Sequence, residues 1–169
     1  MNKNLWSAAA VLGALLQSNA ATAQNGWSHG ITNGRDAVYA ATINDSGAVL
    51  GQYCFFEDES CYWILANNIG CEEGEIYPAL TSSEITSSSI EMVCGGKLSE
   101  GKTRYFLKPF DTIEKISQGS KYIGIAIAMD DGQFRVNRFD LRGATAAMKR
   151  ATELFHKTPR RSSTKDRTL

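Results

Sequence analysis

Four cysteines are the residues of this 169-residue chain whose type could most readily do chemistry: Cys54, Cys61, Cys71 and Cys94. A thiolate can attack, bind a metal or form a disulfide, and spacing separates these uses. No C-x-x-C pair is present, so there is no thioredoxin-like motif. The gaps of 7, 10 and 23 positions do not give the two close ligand pairs of a zinc site. Structural disulfides remain. Other reactive groups are sparse. His29 lies in a Gly/Asn/Ser-rich segment and His156 at the end of a helical pattern, so neither is held beside a serine as a nucleophilic triad requires. Glu72, Glu73, Glu75, Asp130 and Asp131 fall in expected loops and turns, where carboxylates are solvated and lack the contrasting environments of acid–base catalysis. Glu72-Glu73-Gly74-Glu75 does not have EF-hand spacing. The reading is therefore of a non-enzyme with no catalytic residues, metal or cofactor. A hydrolase using the loop carboxylates Glu72, Glu73 and Glu75 stands as the enzymatic alternative.

The first 23 residues say where the thiols go. Met1-Asn2-Lys3-Asn4 is short and basic, residues 5–16 are uncharged and mostly apolar, and Ala21-Thr22-Ala23 has small residues at the cleavage spacing. This reads as a secretory signal peptide, cleaved near Ala23. The apolar run is shorter than the roughly 20 residues of a membrane span, and no second such run follows. A periplasmic or secreted location follows, and in an oxidising compartment the cysteines pair. Four cysteines allow three pairings, and spacing alone does not choose among them. A hairpin turning at Glu57-Asp58 sets Cys54 opposite Cys61, which favours that bridge and leaves Cys71 with Cys94.

Charge is uneven although its formal net is zero. Residues 24–96 hold ten acidic side chains against one basic, Arg35, and residues 142–169 hold eight basic against two acidic. The expected division is a leader over 1–23, a flexible lead-in over 24–35, one disulfide-stapled domain over 36–157 and a disordered basic tail over 158–169. The tail carries no interleaved aromatics, which argues against nucleic-acid binding.

Hydrophobic periodicity supplies the elements that must position these residues. Strands are expected over 36–43, 48–56 and 61–66, as an antiparallel meander with turns at Asn44-Asp45-Ser46-Gly47 and Glu57-Asp58-Glu59-Ser60. The two middle strands are apolar on both faces: Leu50, Cys54 and Phe56 on one, Val49, Tyr53 and Phe55 on the other. Residues 67–89 read as irregular, followed by strands over 89–94 and 103–108. Asp111, with Glu114 three positions on, suggests a capped short helix. Residues 121–129 alternate Ile123, Ile125, Ile127 and Met129 with Gly124, Ala126 and Ala128, then turn at Asp130-Asp131-Gly132. On the return strand, Phe134 and Val136 are out of phase with Phe139 and Leu141, which predicts a β-bulge near Asn137-Arg138. The Ala-rich helical stripe over 141–157 is expected to pack on that hairpin. The fold class is mainly β: an antiparallel sandwich or partly open barrel with one short helix and a C-terminal packing helix.

The meander also concentrates aromatics: Tyr39, Tyr53, Phe55, Phe56, Tyr62 and Trp63. Most are expected in the core. Phe55 and Phe56 flank the acidic turn Glu57, Asp58 and Glu59, and form the candidate binding tip for an unidentified basic protein partner. The oligomeric state is not legible. An inhibitor of a secreted or periplasmic enzyme is the alternative binding role.

The block Ile123-Gly124-Ile125-Ala126-Ile127-Ala128-Met129, a turn, Phe134-Arg135-Val136 and then Phe139-Asp140-Leu141-Arg142-Gly143-Ala144-Thr145-Ala146-Ala147 resembles the ending of the invasion-associated locus B proteins. The resemblance covers about the last third of the domain beyond the leader, together with a loose cysteine pattern. It implies an extracytoplasmic, host- or envelope-associated interaction role, with no catalytic residues to carry over.

Overall fold

The computed structural model describes residues 26–129 and 131–159. The expected leader, Asp130 and the tail from Arg160 onward lie outside the described residues. Nine strands form one sheet: β1 Ser28–Ile31, β2 Ala37–Ile43, β3 Val49–Phe55, β4 Cys61–Asn67, β5 Ile76–Ser82, β6 Ser87–Lys97, β7 Thr103–Lys108, β8 Tyr122–Ala128 and β9 Phe134–Asp140. Helix α1, Phe110–Gly119, follows β7, and α2, Ala144–Lys157, closes the order. The sheet order is β1-β2-β3-β4-β7-β6-β5-β8-β9, antiparallel at every pairing. The sheet is not closed, because β1 and β9 are its two edges. Inward residues of β2 to β9 nonetheless share one core, from Val38 and Leu50 through Trp63, Tyr105 and Met92 to Ile125 and Phe139. A strongly curved sheet of this kind is a partly open barrel.

The Trp27 indole spans the open side, donating its Nε1–H to the Asp140 carbonyl at 2.8 Å. Its ring meets Trp63 edge-on at 6.2 Å. Trp27 and β1 lie in the segment whose composition suggests a flexible lead-in. β1 pairs with Val38–Ala41 of β2, and these backbone bonds hold a stretch with no apolar period of its own.

The central hairpin follows its sequence pattern. Cys54 faces Cys61 across β3–β4, their Cα atoms 4.0 Å apart and joined by a disulfide. The second disulfide joins Cys71 to Cys94.

Four local expectations give way. Residues 76–82 and 87–97 are strands β5 and β6. β5 buries only Ala79 and Thr81 and exposes Leu80, so its hydrophobic signal is weak. Pro78 lies just beyond the β5–β8 ladder, which begins at Ala79, so its missing N–H leaves that ladder intact.

The β8–β9 register runs unbroken from Tyr122↔Asp140 to Ala128↔Phe134, so there is no bulge at Asn137. The phase mismatch resolves differently: Phe134 and Val136 stay outside at 65% and 60% exposure, while Asn137 and Phe139 point inward. The sheet's register shift falls between Cys94 and Lys97 of β6, where Gly96 has φ +81°.

α1 starts after Pro109 without a side-chain cap, and Asp111 lies in its first turn. Glu114 faces other donors instead: its Oε2 accepts from Trp63 Nε1 at 3.2 Å and from Gln52 Nε2 at 3.1 Å. α2 packs on β2 and β1 rather than on β8–β9. The small face of β8 is on the outside of the sheet, beside Val136 and Ser82. The alanine stripe of α2, with Ala144, Ala147 and Ala151 buried, meets instead a strand that carries Ala37, Ala40 and Ala41.

Candidate binding surface

Register decides which way each tip residue faces. Phe55 and Phe56 are adjacent, so their rings lie on opposite sides of the hairpin. Phe56 is half-buried and stacks on Phe155 of α2, with centroids 5.2 Å apart and planes 2° apart. Phe55 is half-buried on the outer face, edge-on to Tyr62 at 5.9 Å. The turn closes with Phe55 N donating to the Ser60 carbonyl at 3.0 Å. Glu57, Asp58 and Glu59 are exposed.

Asp58 is tied into the turn. Its carboxylate accepts from the Ser60 N–H at 3.1 Å and from the Tyr62 hydroxyl at 3.1 Å. The Ser60 N–H, aided by the Tyr62 hydroxyl, holds the Asp58 carboxyl below its ordinary pKa.

The outer aromatic surface continues beyond the tip. Tyr39 and Tyr53 face each other across β2–β3 and stack at 5.9 Å. Tyr62 meets Phe106 of β7 edge-on at 5.4 Å. The Arg104 guanidinium lies 5.2 Å from the Phe106 ring centre. Five half-buried rings, Tyr39, Tyr53, Phe55, Tyr62 and Phe106, thus run across the outer faces of four strands, and the acidic turn joins the two middle ones, β3 and β4. Two glycines fit the backbone to this row. A Cβ at Gly51 would fall 2.5 Å from the Ala41 Cβ and 2.6 Å from the Ala40 carbonyl, and one at Gly95 would fall 2.6 Å from the Phe106 ring. Both substitutions would force close-packed groups apart.

Beyond the Tyr39–Tyr53 pair, a groove of about 440 Å³ opens between the sheet and the β6–β7 loop, lined by Ile43, Val49, Glu100 and Lys102. Burial pushes the Tyr53 phenol up to about 12, with Tyr39 and Glu100 contributing.

Trp63 is fully buried, as expected for the core, but Tyr39, Tyr53 and Tyr62 are only half-buried. Strand parity was the available signal: Tyr53 and Phe55 fall opposite Leu50 and Cys54 along β3. Phe106 and Arg104 lay outside the sequence-level site because β7 joins β4 across 35 intervening positions.

The remaining candidates for chemistry stay apart from this row. Glu72, Glu73 and Glu75 are exposed in the β4–β5 connection. His29 is on edge strand β1 and His156 near the end of α2, both exposed. Among the described residues, no group of three or more His, Cys, Asp and Glu side chains is placed to hold a metal ion. No described helix is long and apolar enough to cross a membrane.

Among solved structures, invasion associated protein B from Bartonella henselae matches at a TM-score of 0.56, covering 79% of this chain and 96% of that one. The two chains share a fold. Their sequence identity is 14%, so the likeness to invasion associated protein B is one of architecture. No family model and no curated protein matches the chain.

Proposed function

We propose that the chain is a secreted or periplasmic, non-enzymatic binding protein whose aromatic outer row, with the acidic turn beside its middle strands, docks a basic protein partner. The observation that carries this reading is the row itself: five rings held half-exposed across four strands, with Glu57 and Asp58 beside them. Aromatic rings supply large contact area at low conformational cost, and a few such anchors dominate many interfaces. Two disulfides support an oxidising compartment. Cleavage of a leader near Ala23 would deliver the chain there, leaving the basic segment 158–169 as a tail. The shared fold with invasion associated protein B agrees with the resemblance read from the C-terminal block.

A photo-crosslinking residue at position 62, introduced into the native chain in its host, tests the reading. A discrete protein adduct is expected. It should disappear when Tyr53→Ser and Glu57→Lys are combined, and persist with Lys149→Ala on α2. Equal labelling of all three chains, each with an unchanged circular dichroism spectrum, would remove the outer face from consideration. Intact mass with thiol blocking gives the compartment separately: a chain beginning at Gln24 without blockable thiols is expected.

A further inference from the structure

The two disulfides lie in different surroundings. Cys71 packs against the core and Cys94 is 2% exposed, so their bridge is enclosed by the packing of the sheet. Cys61, by contrast, is exposed, and Cys54 and Cys61 both line a cleft of about 570 Å³ between the β3–β4 hairpin and the two helices. Phe110 and Gln118 of α1 face it on one side, and Met148, Thr152 and Phe155 of α2 on the other. Cys61 projects from the same side of β4 as Trp63, whose indole meets Glu114 of α1, another residue of the cleft. The bridge is thus on the side of the hairpin where the cleft opens.

The strand pairing does not rest on this bridge alone. β3 and β4 stay in register from Val49↔Ala66 to Cys54↔Cys61. Beyond the bridge, Phe55 N donates to the Ser60 carbonyl at 3.0 Å. Backbone bonds on both sides therefore hold the hairpin when the sulfurs part.

We infer that Cys54–Cys61 is a thiol-exchange site that accepts two electrons from a dithiol, while Cys71–Cys94 is structural. Exchange needs a thiolate with access to one sulfur of the bridge, and the cleft gives that access. A thiolate of the dithiol attacks the Cys61 sulfur, the bond to Cys54 breaks, and Cys54 leaves as a thiolate. The dithiol's second thiolate then attacks its own sulfur in the mixed disulfide and releases Cys61. The bridge is reduced, the dithiol becomes a disulfide, and its two protons end on Cys54 and Cys61. This chemistry is the same for a small dithiol and for one carried by a protein, and it is independent of docking on the outer aromatic face.

The test is graded reduction of the native full chain with dithiothreitol, quenched by acid and followed by alkylation and peptide mass spectrometry. Cys54 and Cys61 are expected to take label together, about tenfold faster than Cys71 and Cys94. The circular dichroism spectrum should stay unchanged, and oxidised glutathione should restore the bridge. Thr152→Trp, a change at an exposed position of the cleft wall, should slow labelling of Cys61 several-fold and leave Cys71 unaffected. A reduced thioredoxin lacking its resolving cysteine separates the two sources. A mixed disulfide on Cys61 assigns a protein dithiol, and reaction with dithiothreitol alone assigns a small one. Equal labelling of the two bridges, earlier reduction of Cys71–Cys94, loss of the fold when Cys54–Cys61 opens, or an unchanged rate in Thr152→Trp would each overturn the site.

Discussion

Glu114 draws three donors to one carboxylate: the Trp63 indole, the Gln52 amide and the Gln118 amide, the last at 2.7 Å. Trp63 is fully buried, so removing its acceptor strands an indole N–H. Glu114→Ala is expected to lower stability by about 1–3 kcal/mol, and Glu114→Gln by much less, as read from urea unfolding. Sequence spacing led Glu114 to be read as a capping-box partner for Asp111. The i, i+3 pattern is local, whereas its actual partner on β4 is 51 positions away. Asp58 and the tyrosines Tyr53 and Tyr105 give pH dependences of opposite sense. The folded state depresses the Asp58 pKa. Its contribution is therefore present above the unfolded value of about 3.9 and is lost as pH falls through the folded one. A carbon-detected titration should show a midpoint below the ordinary range, moving upward in Tyr62→Phe. The Tyr53 and Tyr105 phenols are both pushed up to about 12, by burial first. The folded chain thus keeps protons that an unfolded chain loses from about pH 10, so stability falls between about pH 10 and 12. Denaturant midpoints measured across that window should decline, and Tyr53→Phe should make the decline shallower.

At the scale of elements, strong alternation was legible and weak alternation was not. The meander of β2, β3 and β4, the Cys54–Cys61 pairing and strand β8 all follow from patterns local to a few residues. β5 was hidden because it buries an alanine and a threonine and carries a proline. The partner of α2 was hidden for another reason: an alanine stripe says that something must approach closely, but not what. Both β2 and β8 offer small residues, and only the three-dimensional path of the chain puts β2 against the helix. That placement has a measurable result. Ala147 is buried on α2, so Ala147→Leu should overpack the helix–sheet contact and lower stability by about 1–3 kcal/mol. The same change would be harmless on a solvated helix face, and thermal unfolding distinguishes the two. The Phe56–Phe155 stack ties the same helix to the hairpin. Phe155→Ala should loosen the turn that follows Phe56, seen as faster amide exchange at residues 57–60.

For the molecule as a whole, the two disulfides differ in what they restrain. Cys54–Cys61 closes a separation of 7 and joins neighbours already paired in a hairpin, while Cys71–Cys94 closes a separation of 23. Loop entropy assigns the first about 2.5 kcal/mol and the second about 3.4 kcal/mol. Replacing Cys71 and Cys94 with alanine should therefore lower the melting temperature more than replacing Cys54 and Cys61. The sheet's two edges are brought together by Trp27, whose indole bonds to the end of β9 while its ring rests against Trp63. That contact makes the seam visible to light. The two indoles are 6.2 Å apart, Trp63 fully buried and Trp27 half-buried. When β1 peels away, Trp27 meets water while Trp63 stays enclosed, so the colour and anisotropy of the emission change before the bulk of the sheet melts. The chain thus carries its own optical gauge of whether the barrel's open side is clasped.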